Sequence, residues 1–229
     1  MSKALDLYSK VEDLLGVNEV TPKLYENYFL TLQKLEFDSL LDVGCGRGEF
    51  LRQIKTLFPD SKVMGIDLSP LMIETTQSKG IDAQCIDICK LNQKFQIITA
   101  VFDMVNYLNP KEIKNFMKCI ENTLEDNGHF ICDINSLYAF EELAVGSFIK
   151  DDDSRFVTID SDFENKIYYS DFTLFEKDGK CFKKSQATIK QYYYTPKELT
   201  KLTNLKLVEK FPFSIYGEEV EKFYLVFKK

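Results

Sequence analysis

Seven residues between positions 42 and 87 have the types and spacing of a small-molecule site. Gly44, Gly46 and Gly48 alternate in the stretch "LDVGCGRGEF", directly after an apolar run and directly before a helix-like segment, Glu49 to Phe58. Glycine adopts positive φ at little cost and leaves no Cβ between backbone and ligand. A strand, a glycine turn and a helix in this order present backbone to a ligand at a helix N-terminus. Asp67 closes the next apolar run, 19 residues after Gly48, and Asp87 closes the one after that. Asp67 stands where a carboxylate would accept both hydroxyls of a ribose. A dinucleotide-binding GxGxxG turn would need glycine at position 49, but Glu49 is there, and Asp42 guards the entrance. These two acids repel a pyrophosphate, which disfavours nicotinamide chemistry, and they tolerate a cationic sulfonium carrying an amino-acid tail.

The surrounding chain alternates strand and helix, the pattern of an α/β domain with a parallel sheet. Strands are expected at Leu40 to Val43, Lys62 to Ile66, Ala83 to Ile86, Phe95 to Val101 and His129 to Asn135. Ser69 caps the helix that opens with Pro70, and a further helix spans Lys111 to Leu124. Asp126-Asn127-Gly128 is expected to turn the chain into the fifth strand. Ahead of the sheet, apolar residues at helical period mark residues 2 to 16 and 22 to 36, placed across the sheet's carboxyl edge or one face. From Lys150 to Tyr194 the helical period is lost, and three antiparallel strands are expected, with turns at Glu164-Asn165 and Asp178-Gly179. Thr195 then caps a short helix, and two antiparallel strands close the chain.

Composition narrows the setting. The 229 residues are 45% hydrophobic and 28% charged, enough for a soluble globule with a sizeable core. A net charge of −7 lacks the basic footprint of a nucleic-acid binder. Six cysteines, without a CxxC pair, sit largely in apolar runs and read as reduced, which points to the cytoplasm. The charged N-terminus has no signal-peptide core, and no apolar run has membrane length. The single histidine, His129, excludes a multi-histidine metal site, so no metal is expected, and it reads as a surface turn residue.

Taken together, "LDVGCGRGEF", "GIDLSPLMIE", the Asp87 position, "FQIITAVFDMVNYL" and "GHFICDINSLY" resemble the class I S-adenosylmethionine-dependent methyltransferases. The likeness covers roughly residues 20 to 229. "FDMVNYL" followed by "FICDINSLY" looks like the bacterial small-molecule enzymes with a β-rich insertion after strand five, whose relatives include amino-sugar N-methyltransferases. A histidine often found before "YYYTPKEL" in them is absent. The resemblance implies a Rossmann-like, seven-stranded, mostly parallel sheet with flanking helices, formed by residues 1–149 and 195–229, plus an inserted antiparallel β lid at 150–194. It implies S-adenosylmethionine as methyl donor. Asp42, Gly44, Cys45 and Gly46 would then contact the methionine part, Asp67 the ribose, Leu68 and Met72 the adenine ring, and Asp87 with Ile88 its amino edge. Phe102 would present backbone to the methionyl ammonium, and Tyr8 would cover the cofactor. Leu68, Met72 and Tyr8 equally suit core packing.

Methyl transfer is an in-line displacement in which orientation alone can lower the barrier by about 7–11 kcal/mol. No obligatory acid or base signature is therefore demanded. Should a base be used on an N or O nucleophile, the candidates follow strands four and five: Asp103, Asn106, Tyr107, Asp133, Asn135 and Tyr138. Of the β-rich segment's tyrosines (Tyr168, Tyr169, Tyr192, Tyr193 and Tyr194), alternation lets only some, such as Tyr168 and Tyr192, face an acceptor; the others pack the lid or a homodimer interface. A small-molecule acceptor is the leading expectation. The Asn/Asp-Pro-Pro-aromatic motif of nucleic-acid amino-methyltransferases is replaced by Phe102-Asp103-Met104-Val105. An RNA or protein methyltransferase, or a regulatory protein that kept the pocket without turnover, are the alternatives.

Overall fold

A computed structural model describes residues 2–229, with the side chains of 2, 3 and 17–19 outside the description. The helices are α1 (Ser2–Ser9), α2 (Val17–Leu32), α3 (Glu49–Leu57), α4 (Pro70–Ser78), α5 (Pro110–Thr123) and α6 (Pro196–Thr200). One sheet contains β1 (Ser39–Val43), β2 (Lys62–Asp67), β3 (Asp82–Cys85), β4 (Phe95–Ala100), β5 (Leu124–Asn135), β10 (Lys206–Phe213) and β11 (Lys222–Lys228). Its order is β10-β11-β5-β4-β1-β2-β3, and every pairing is parallel except those of β11 with β5 and β10. The order reverses between β4 and β1, and open α/β sheets bind ligands at the carboxyl ends of such a switch point.

Apolar cores fill both faces. One packs Ile113, Phe116, Met117 and Ile120 of α5 on the sheet, and the other packs α2 and α3 through Leu24, Tyr28, Phe50 and Ile54. Each such side chain, once fully buried, contributes about 1.5–3 kcal/mol. The local stop and start signals act as expected. Ser69 accepts the Met72 N–H, while Asn109 with Glu112 and Thr195 with Glu198 form reciprocal capping boxes.

A second, separate antiparallel sheet runs β6 (Gly146–Asp151), β7 (Arg155–Glu164), β8 (Ile167–Asp178) and β9 (Cys181–Tyr192). It has four strands where three were expected. All six residues of β6 are exposed, so no period-2 alternation marked that strand. α1 packs Leu7 against Val157, Ile159, Phe172, Leu174 and Ile189 of this sheet. The expected first helix ends at Ser9, and a single turn follows at Glu12–Leu14.

Three further expectations are corrected. β5 begins at Leu124 and takes in Asp126-Asn127-Gly128, with the register shift against β4 absorbing the irregularity. His129 is therefore a half-buried strand residue between Ile97 and Lys228, and its imidazole is held below the usual pKa by burial and by the Lys228 charge. The cysteines are not all reduced: Cys89 and Cys119 form a disulfide with Cα atoms 5.0 Å apart. The turn at Ile88–Lys90 brings Cys89 onto α5, a meeting that the separation of 30 residues does not announce.

Closing a loop of that length constrains the unfolded chain by about 2–4 kcal/mol. Urea denaturation with and without reductant is expected to show a stability loss of that size, and Cys89→Ser should show none on adding reductant.

Candidate active site

The glycine turn holds itself together with its own donors. Gly44 and Cys45 N–H both donate to Ile66 O, at 2.8 and 3.1 Å, and Gly48 N–H donates to Cys45 O at 2.9 Å. Gly46 N–H donates to Asp67 Oδ2 at 3.0 Å, while Ser69 N–H donates to Asp67 Oδ1 at 2.8 Å. The turn is thus not an open ring of N–H donors for a phosphate. Gly44 sits at φ 74°, and a Cβ there would lie 2.6 Å from Met104 Cγ, so glycine is required where the turn meets the segment after β4. Glu49 accepts from Lys79 and Arg52, which hold its carboxyl below the usual range.

Asp42 lies at the switch point itself and is 2% exposed. Thr99 Oγ1 of β4 donates to its Oδ1 at 2.7 Å. Burial outweighs that bond, with Asp67 adding like charge, and the Asp42 carboxyl is pushed up to about 7. Cys45 is buried behind the turn, and burial raises its thiol far above ordinary values, so it stays protonated.

Three adjoining cavities open from this edge of the sheet. The first is lined by Gly44, Gly46, Asp67, Leu68, Met72, Asp87 and Ile88, together with Met104 and Phe116. Leu68 is half-exposed on its rim, which removes the core reading for that residue. The second, about 540 Å³, meets Asp42, Gly44, Cys45, Gly46 and Asp103. The third, about 580 Å³, lies between the two sheets and meets Asp103, Asn135, Tyr168, Gln191, Tyr216 and Lys222. Tyr8, Phe102 and Tyr107 line all three. Tyr8 reaches that place because α1 is tied down on both sides. Ser69 Oγ donates to Asp6 Oδ1 at 2.8 Å, Arg47 donates to Ser9 O at 2.5 Å, and the Tyr8 ring meets Phe172 edge-on.

The corner after β4 lies between the first two cavities and the third. Phe102 and Asp103 both have positive φ, 60° and 45°, which costs side-chain-bearing residues about 1–3 kcal/mol each. Their N–H groups donate to Asp133 Oδ1 and Oδ2, each at 2.9 Å. Tyr28 Oη donates to Asp133 Oδ1 at 2.7 Å, and Lys222 Nζ donates to Asp133 Oδ2 at 2.9 Å. Lys222 Nζ also donates to Asp103 Oδ1 at 2.6 Å and Asn135 Oδ1 at 2.7 Å. Burial opposes the Lys222 charge, but the two carboxylates prevail and its pKa is raised. Gln191 Nε2 completes the set by donating to Asp103 Oδ2 at 2.5 Å.

The candidates beyond the strands thus separate. Asp103 and Tyr107 face the cavities; burial raises the Tyr107 phenol, with Asp103 as a lesser cause. Asp133 is fully buried and bound by four donors, which suits it to bracing and not to proton transfer. Asn106 is also buried, donating to Tyr192 O at 2.8 Å and accepting from Asn135 N–H at 3.0 Å, so it braces too. Tyr192 packs against the α5 core and Tyr138 is 38% exposed; neither lines the third cavity. Lys222, Gln191 and Arg47 went unnoticed in the sequence: Arg47 stands inside the glycine motif but was not singled out, and no motif marks Lys222.

Residues 40–128 match the family model described as a methyltransferase domain. The whole fold is similar to an S-adenosylmethionine-dependent methyltransferase from Clostridium acetobutylicum, with TM-score 0.80, 25% identity and 98% of each chain covered. Over residues 40–128 the chain carries a methyltransferase domain, and its fold is that of the class I S-adenosylmethionine-dependent methyltransferases. The fold is also similar to a sugar N-methyltransferase of a Streptoalloteichus species, with TM-score 0.73, 16% identity, and 99% and 93% of the two chains covered. In sequence it is 30% identical over 118 residues to the malonyl-[acyl-carrier protein] O-methyltransferase of Acetivibrio thermocellus, covering 47% of this chain and 38% of that one. The chain spans well under two thirds of the length of the curated relatives it matches. Among the described residues, no helix is long and apolar enough to cross a membrane.

The methyl donor of this family is S-adenosylmethionine, and the cleft fits it: a carboxylate at the end of β2, apolar walls at Leu68, Met72 and Ile88, and the buried Asp42 beside the turn. Asp42 yields a pH test. A carboxyl with its folded pKa raised to about 7, against about 3.9 unfolded, favours folding when protonated. Its stabilisation is full below about pH 4 and is lost as pH rises to 7. A cationic ligand reverses the preference by favouring the carboxylate, so binding releases a proton. Calorimetric affinity for S-adenosylmethionine is expected to climb by up to about tenfold per unit between pH 5.5 and 7, and Asp42→Asn should flatten that slope.

Proposed function

We propose that the chain transfers the methyl group of S-adenosylmethionine to an N or O nucleophile of a small molecule held in the third cavity. One observation carries this reading: an open cavity of about 580 Å³ meets the cofactor cleft along Tyr8, Phe102 and Tyr107. That size suits a small molecule. A regulatory protein that had lost turnover would have no need of such a space beside the cofactor.

When bound, S-adenosylmethionine supplies an electrophilic methyl group, whose bond to sulfur breaks with the electron pair staying on sulfur as the nucleophile's lone pair bonds the carbon. The Asp67 carboxylate still has acceptor capacity for two ribose hydroxyls after taking Gly46 and Ser69 N–H. Leu68, Met72 and Ile88 wall the adenine, with Asp87 at its edge; Asp42 and the Phe102 backbone receive the methionyl ammonium beside Gly44, Cys45 and Gly46. Tyr8 on α1 keeps water from the donor. On the acceptor side Asp103 accepts a hydrogen bond from the nucleophile's N–H or O–H and passes the surplus proton to solvent. Tyr107, neutral at all ordinary pH, Asn135 and Tyr168 shape the acceptor's place. The acidic balance and the cavity's size support a metabolite over RNA or a protein as acceptor. The second sheet, residues 146–192, lines the third cavity and serves as its lid.

Calorimetric titration tests the donor half: the wild type binds S-adenosylmethionine, and Asp67→Ala weakens it more than tenfold through loss of charge-assisted bonds worth roughly 1.5–3 kcal/mol each. Absence of binding, or an unaffected variant, overturns the reading. For the acceptor half, metabolite pools incubated with enzyme and cofactor should yield a product heavier by one methyl group.

A further inference from the structure

Lys222 is the single cation lining the third cavity among the described residues, yet none of its charge is available to a ligand. It is 7% exposed, and Asp103, Asp133 and Asn135 take its three N–H donors at 2.6–2.9 Å. Two of these partners are carboxylates bridged by one ammonium. Asp133 also accepts the Phe102 and Asp103 N–H groups, the bonds that hold both residues at positive φ. We propose that Lys222 is a positioning residue for the cofactor's amino-acid end: by neutralising Asp103 and Asp133 together it keeps the Phe102–Asp103 corner in the conformation that receives the methionyl ammonium. The inference rests on the functional reading above and extends it to a residue on the far side of the corner from the cofactor.

The physical step is a charge balance. Without the ammonium, two carboxylates remain one cation's width apart, with Asp133 fully buried and Asp103 largely so. Either Asp103 swings out or Asp133 takes a proton, and the second outcome removes acceptor capacity from the oxygens that hold the corner. Both outcomes move the Phe102 backbone. Neither reaches the adenosine side, where Asp67, Leu68, Met72 and Ile88 stand on β2, the turn that follows it, α4 and the turn after β3, and no hydrogen bond joins those residues to Lys222.

The test compares two ligands on the full chain. S-Adenosylhomocysteine has the amino-acid tail; 5′-methylthioadenosine has the same nucleoside thioether without it. In Lys222→Met, calorimetric affinity for S-adenosylhomocysteine is expected to fall at least tenfold, while that for 5′-methylthioadenosine stays within about twofold of wild type. Should Lys222→Met fail to fold, Lys222→Met combined with Asp103→Asn, which leaves only one carboxylate to accommodate, carries the same comparison. Equal loss of both ligands, or loss of neither, overturns the proposal, because a purely structural role would not separate them. A wild type that binds neither ligand overturns the functional reading itself, an outcome distinct from an unselective variant.

Discussion

The carboxylate of Asp133 is the interaction on which the site's geometry depends. It lies fully buried at the end of β5 and accepts hydrogen bonds from α2 through Tyr28, from the corner after β4 through Phe102 and Asp103, and from β11 through Lys222. Taking an ion out of water costs several kcal/mol, and a buried charge persists only when its remaining lone pairs are satisfied. Four donors meet that condition, each roughly 1.5–3 kcal/mol. Two of them are the N–H groups of the residues at positive φ, so the bonds that satisfy the ion also offset the backbone strain. Strain and desolvation, each unfavourable alone, are resolved by one set of contacts.

A consequence reaches the cavities. A relaxed corner would carry Phe102 away from Tyr25, against which its ring packs edge-on at 6.0 Å, and would merge or close the spaces on its two sides. α1 acts on the same boundary from above. Its polar ties go to the cofactor side through Ser69 and Arg47, while Leu7 packs with the second sheet. Tyr8 therefore reports the position of both halves, and a displacement of the second sheet would be felt over the cofactor cleft.

What the sequence disclosed follows the range of the interactions involved. The glycine turn, Asp67 and the caps at Ser69 and Thr195 were legible because each is fixed within a few residues or by the order of strands along one sheet. The parallel core strands were legible because burial on both faces leaves continuous apolar runs. β6 was not, since a strand exposed on every side chain has no periodic signal. Cys89 with Cys119 and Lys222 with Asp133 were not legible either, because their pairing depends on where a turn or a last strand docks. Asn106 shows the same limit in reverse. Its place just after strand four suggested chemistry, whereas its two bonds to Tyr192 and Asn135 make it a brace between the main sheet and the second one.

The start of the last strand concentrates these long-range dependences in two successive residues, Lys222 at its first position and Glu221 just ahead of it. Lys222 pairs in register with Asn135 and aims its ammonium at the corner. Glu221, just before it, is buried as well and accepts the N–H groups of Ile215, Tyr216 and Gly217, which fixes the loop carrying Tyr216 to the rim of the third cavity. Neighbouring residues of an extended chain point to opposite faces, so one backbone position serves both sides at once. A one-residue slip of β11 would exchange the faces, setting a carboxylate against Asp103 and Asp133 and an ammonium against three N–H donors. Electrostatics therefore adds to the apolar residues in specifying the register of this strand, and the wall of the third cavity is set by the same alignment that holds the Phe102–Asp103 corner.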